Sequence, residues 1–192
     1  MCTVDWTTLA STAVGGVAVL AGTVLASTLG NRGQRERDNR ADRRQSYLDF
    51  VLALNGAHAQ LRQIAAKGDG TDLEYQTNHI LGVNGVYEGR EKMVLSADRS
   101  VLPSAERAFM CLVRLRVAIS HGARLHTMEY HSVYHVYASA VWDLRRVLRE
   151  DLGGGGLSPA DLDRPTWDGQ ETCAFCRANA SVSVAAGGEA GR

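Results

Sequence analysis

Apolar residues recur at helical spacing in four stretches of the chain, and in a fifth, near the amino terminus, small and apolar residues run unbroken. Phe50, Leu54, Ala57, Leu61 and Ile64 repeat at intervals of four and three, with Tyr47, Leu48 and Val51 widening the stripe, the period of one buried helix face. Residues from Gln34 to Ser46 are too polar for burial. The pattern predicts a helix over 34–67, a charged stalk in its first half and core-forming from Tyr47, entered through a hinge at Asn31-Arg32-Gly33 and ended by Gly68-Asp69-Gly70.

Thr71-Asp72-Leu73-Glu74 has the form of a capping box, with Thr71 as cap and Glu74 three residues later, and opens a second segment through about Leu95. Gly82, Asn84-Gly85 and Gly89 interrupt it. Asn-Gly is also a hairpin signal, so a helix is preferred and a hairpin remains the alternative. Pro103-Ser104 begins a third helix with Phe109, Leu112, Leu115 and Ile119 on one stripe, stopped by His121-Gly122. The fourth runs from about Thr127 to Leu152 on Val133, Tyr137, Val141, Leu144 and Leu148, stopped by Gly153 to Gly156. Four amphipathic segments with short connections predict an antiparallel helical bundle. Beyond the glycines, Ser158 caps a short turn with Pro159 at its first position. The final residues carry too little apolar mass to order themselves, so a flexible, mostly disordered tail is expected.

The unbroken stretch is Leu9–Leu29, LASTAVGGVAVLAGTVLASTL, free of charge. At about 1.5 Å rise per residue it gives roughly 31 Å of helix, the thickness of a bilayer's hydrocarbon core. A cleaved export signal needs a basic segment ahead of it, and MCTVDWTT has none; a soluble core helix is the third reading. A transmembrane helix is preferred. Arg32, Arg35, Arg37, Arg40, Arg43 and Arg44 follow it directly, which predicts a cell-membrane protein, single-pass, with its amino terminus outside and everything after about Gly30 cytoplasmic. Ser11 with Gly15, and Ala18, Gly22 and Ala26, form small-residue pairs four apart that permit close helix packing in lipid, hence a homodimer through this helix or its pairing with another span. The expected organisation is all-α: an outer 1–8, a transmembrane helix 9–29, an Arg-rich stalk 30–46, a bundle 47–152, and a linker and tail 153–192.

Composition narrows the function classes. The 192 residues carry 21 basic and 21 acidic groups, net charge zero, so no global field points to nucleic acid, and the arginines beside the span suit membrane lipid headgroups. Patterns such as GxSxG, HExxH, GxxxxGK[ST] and GxGxxG are absent, and no nucleophile, base and phosphate-holding elements converge, so no catalysis is expected. The sharpest local feature is Cys173-Ala174-Phe175-Cys176. Two thiols at this spacing can hold one zinc ion, but a closed site needs four ligands. Completion could come from a second chain or from His131 and His135, one turn apart on one face of the fourth helix; equally, these histidines could be half-buried surface residues bonded to water or carbonyls. Cytosolic placement would keep the thiols reduced. Cys111 reads as a small core residue, and His58 as a satisfied core or edge histidine.

The segments MCTVDWTTLA, RRQSYLDFVLALN, VLPSAERAF, YHSVYHVYASAVWDLRRVLREDL and LSPADLDRPTWDGQETCAFC together resemble a group of small actinobacterial single-span proteins, some labelled CchlQ. The resemblance implies a membrane-associated helical protein and carries over no catalytic residue. The expected function is a membrane-held helical module that binds a still unnamed protein partner. The alternative is a metal- or redox-responsive protein using Cys173 and Cys176.

Overall fold

The computed structural model describes the backbone of residues 6–67 and 72–179, and the side chains of residue 34 and of residues 36–67 and 72–179. Five helices follow in order: α1 Trp6–Lys67, α2 Leu73–Val83, α3 Val86–Ser96, α4 Leu102–Ser120 and α5 Met128–Asp151, then a 3-10 turn Pro159–Leu162. A last helical turn covers residues 174–179, and there is no strand among the described residues. The chain divides into two compact units, 1–42 and 43–192. Within the first, Gln34, Glu36 and the residues to Asp42 are exposed, as a charged stalk requires, and Gln34 donates to Asp38 across one turn at 2.9 Å.

α1 corrects the expected hinge, because it runs through Asn31-Arg32-Gly33 without a break. A single glycine costs a helix about 1 kcal/mol relative to alanine, too little to open it between long helical flanks. The proposed span Leu9–Leu29 and its packing positions Ser11, Gly15, Ala18, Gly22 and Ala26 lie outside the residues whose side chains are described. Among the described residues, no helix is long and apolar enough to cross a membrane.

The second unit is built by the stripes read from the pattern. Phe50, Leu54, Ala57 and Leu61 of α1, Leu112, Leu115 and Ile119 of α4, and Tyr137, Val141, Leu144 and Leu148 of α5 all lie in one core. Three contacts set α1 antiparallel to α5: Tyr47 Oη donates to Asp151 at 2.7 Å, Tyr137 Oη donates to the Leu54 carbonyl at 3.1 Å, and the Leu125 N–H donates to the Ala65 carbonyl at 3.3 Å. The unit begins at Arg43, which pairs with Asp151 at 3.7 Å, a few residues before the expected boundary at Tyr47. α5 starts where the spacing predicts, with Thr127 as its cap.

The segment after residue 71 is helical and not a hairpin, but it is two helices. Asn84 ends α2 and its side chain donates back to the Ile80 carbonyl at 2.8 Å; Gly85 takes the left-handed conformation, φ 68°, that redirects the chain into α3. The α2 cap is Asp72, which accepts from the Tyr75 N–H at 3.3 Å. It replaces the expected Thr71, since a carboxylate caps as well as a hydroxyl and also suits the positive helix end.

The final residues 180–192, expected to be disordered, lie outside the described residues, but the stretch before them is more ordered than a flexible tail. Ser158 and Asp161 form a reciprocal capping box around the 3-10 turn. From there to residue 179 the chain lies against α5: Trp167 stacks on Trp142 with centroids 4.8 Å apart, and Cys176 is buried. Trp167, Phe175 and Cys176 concentrate in one short stretch the apolar surface that Gly and Ser dilute over the whole tail.

A candidate metal centre

The tail delivers its CxxC to the one face of α5 that carries two histidines. His131 and His135 stand one turn apart with rings 5.7 Å between centroids, as i and i+4 residues must. Cys173 Sγ lies 3.4 Å from His131 Nδ1, and Cys176 Sγ lies 3.3 Å from His135 Nε2. One ligand atom from each of the four side chains lies within 4.8 Å of every other. Tetrahedral zinc with bonds of about 2.3 Å to sulfur and 2.0–2.1 Å to nitrogen sets neighbouring ligand atoms about 3.5 Å apart. The two thiol–imidazole separations already sit at that value.

The opposite ring nitrogens decide what the inner ones offer. His131 Nε2 lies 2.9 Å from the Leu125 carbonyl oxygen and His135 Nδ1 lies 2.8 Å from that of Asp168. A carbonyl can only accept, so these nitrogens carry the protons. In the neutral rings, Nδ1 of His131 and Nε2 of His135 therefore turn lone pairs toward the cysteines. Zinc-ligating histidines are held in this way, with the outer N–H given to a carbonyl or carboxylate. Phe175 stacks on His131 at 4.4 Å and shields that side of the cluster.

The thiols differ in their surroundings. Burial works against a thiolate at Cys173, but the Cys176 backbone N–H, His135, the Cys176 thiol and the Phe175 backbone N–H outweigh it and hold its pKa below the ordinary range. At Cys176, burial first and then the adjacent Cys173 push the pKa up. Both cysteines are free thiols. Two thiolates neutralise one divalent cation, which offsets both the burial and the neighbouring-thiol effect that raise the Cys176 pKa. The donor set, two sulfurs and two imidazoles in tetrahedral reach, is that of zinc.

Spacing alone named all four of these side chains. Their outer partners, the carbonyls of Leu125 and Asp168, are backbone atoms and left no trace in it. Cys111 is 4 % exposed inside the core, as its apolar flanks suggest, and Cys2 lies outside the described residues. His58 departs from expectation: its ring packs between Tyr134 and Tyr137, 5.4 and 5.2 Å away, but its buried Nε2 has no hydrogen-bond partner among the described residues. No family model matches the chain, and no curated protein or solved structure matches it.

Proposed function

We propose that this protein is a membrane-tethered helical bundle whose C-terminal tail is clasped to α5 by one zinc ion held by His131, His135, Cys173 and Cys176. The observation that carries this reading is the pair of carbonyl-bound imidazoles whose free lone pairs face two free thiols at 3.3–3.4 Å. Four protein ligands leave no open position for a substrate, so the ion is structural and its work is to order the tail. A cytosolic location, as the arginines after Leu29 favour, keeps both thiols available to the metal. The tether is the charge-free Leu9–Leu29. The clasped bundle then serves as an interaction module presented at the membrane, without chemistry of its own.

Elemental analysis of the full chain purified without chelator tests the clasp. One zinc per chain is expected, with loss of the metal in Cys176→Ser and in His135→Ala. Full chain that stays metal-free after equilibration with zinc and dialysis sinks the reading. The tether is tested by fractionation: the full chain should sediment with membranes and resist alkaline extraction, and a chain beginning at residue 34 should not. Recovery of the full chain in the soluble fraction would refute it.

A further inference from the structure

A cavity of about 380 Å³ that shares His131, His135 and Cys173 with the clasp opens among α1, α5 and the docked tail. Arg62 of α1, Tyr130 and Tyr134 of α5, and Arg164 and Asp168 of the tail line it. The charges there do not balance. Arg43, Arg90, Lys92, Arg107 and Arg146 each pair with a carboxylate, while Arg62 and Arg164 make no ion pair among the described residues. Asp168, the one carboxylate on the lining, offsets one of the two charges; its Oδ1 accepts from the Thr166 hydroxyl at 2.9 Å and the Gln170 N–H at 2.8 Å, and the lining keeps an excess of one positive charge.

A third guanidinium, outside the cavity lining, neighbours Arg164. Arg145 and Arg164 both lie against the Trp142 ring, with Cζ 4.4 and 5.1 Å from its centroid. Arg145 makes no ion pair among the described residues and donates from Nη2 to the neutral Asn55 Oδ1 at 3.1 Å. Burial weakens its hold on its proton, against the opposing Tyr137 phenol and with a lesser push from the charge of Arg164. Arg164 is half-buried and Arg62 exposed at the cavity's edge, and an anion bound between two guanidinium groups relieves their mutual repulsion. Tyr130 and Tyr134 add two phenol hydroxyls with no hydrogen-bond partner among the described residues, ready to donate to that anion.

Guanidinium forks match the oxygens of a phosphate two at a time, and more than one fork favours a dianion over a carboxylate. The space is much larger than a bare phosphate ion needs and falls at the small end of ligand pockets, about 300–1,000 Å³. We infer that this cavity binds a small organic phosphomonoester, its phosphate held between Arg62 and Arg164 and its organic part along the Tyr130 and Tyr134 wall. The inference shares with the zinc clasp the requirement that the tail be docked, and the metal content of each variant separates the two.

The test is calorimetric titration of the zinc-loaded full chain in detergent, with phenyl phosphate and, separately, inorganic phosphate at physiological chloride. Saturable 1:1 binding of phenyl phosphate is expected, tighter than that of inorganic phosphate. Arg62→Gln and Arg164→Gln should each weaken it at least tenfold while retaining zinc, and Arg114→Gln, on an exposed part of α4, should leave it unchanged. Absence of saturable binding, or binding of wild-type strength in zinc-retaining Arg62→Gln, would overturn the site, because the anion would then be reading the metal or the general surface. Inorganic phosphate binding as tightly as phenyl phosphate would overturn the organic ligand.

Discussion

At the scale of single residues, His58 shows what burial does to an ionisable group that lacks a partner. Its Nε2 is enclosed and unbonded, and burial first, then the nearby Arg62, lower its pKa from 6.5 to about 4. The folded protein thus holds this ring neutral at pH values where the unfolded chain protonates it. Stability follows with a definite sign: the unfolded state binds the extra proton between about pH 6.5 and 4, so the contribution is complete above 6.5 and fades as pH falls through that window. The full effect is of order 3 kcal/mol at most. His58→Phe, which keeps the stack on Tyr134 and Tyr137, should flatten this acid limb in urea unfolding of metal-free protein; an unchanged limb would mean the ring is hydrated. The four proposed metal ligands were legible at this scale because i,i+4 histidines and a CxxC are spacing signals. The orphaned nitrogen of His58 was not, since no pattern shows whether a neighbouring helix brings an acceptor.

Between elements, the approach of α3 to α1 is set by one missing side chain. A Cβ on Gly89 would stand 3.1 Å from Phe50 Cδ2 and 3.2 Å from its Cα, and the backbone atom cannot yield as a side-chain end can. Gly82, in α2, has nothing within 4 Å of the same position. Alanine gains about 1 kcal/mol over glycine in a helix, whereas forcing atoms into a packed contact costs about 1–3 kcal/mol. Gly82→Ala should therefore raise stability by up to about 1 kcal/mol, and Gly89→Ala should lower it by about 1 kcal/mol, both read from denaturant midpoints. Equal shifts of the same sign would mean α3 is free to move away from Phe50. Both glycines look alike in the sequence, as interruptions of a helical pattern. Only the packing separates a tolerated glycine from a required one.

For the whole molecule, the consequential contact is the docked tail. If zinc closes the clasp, metal bound to the folded state alone adds stability by mass action, about 4 kcal/mol when free zinc is 1,000 times its dissociation constant. Removing it should lower the melting temperature by roughly 10 °C for a domain of this size. Chelation should also weaken the near-ultraviolet dichroism of the Trp142–Trp167 stack and expose the chain after Gly156 to protease. A melting curve and a digestion pattern indifferent to chelator would show that aromatic packing holds the tail without metal.

The division between sequence and tertiary structure follows from the range of each interaction. Helix class, the stops at His121 and at the glycine run, and the core stripes of α1, α4 and α5 depend on neighbours three or four positions apart, so the sequence by itself determined them. The uncharged Leu9–Leu29 and the arginines after it are likewise local, and the membrane proposal stands on them alone. Tertiary structure decided what depends on partners distant in the chain. It turned the tail onto α5, brought Cys176 to His135 across 41 positions, and supplied the Leu125 and Asp168 carbonyls that orient both rings. It also set Arg62 and Arg164 on one cavity with Asp168 as the one carboxylate of its lining. Those outcomes follow from Trp167, Phe175 and Cys176 finding apolar cover on a helix they do not adjoin in sequence, and periodicity holds no record of that meeting.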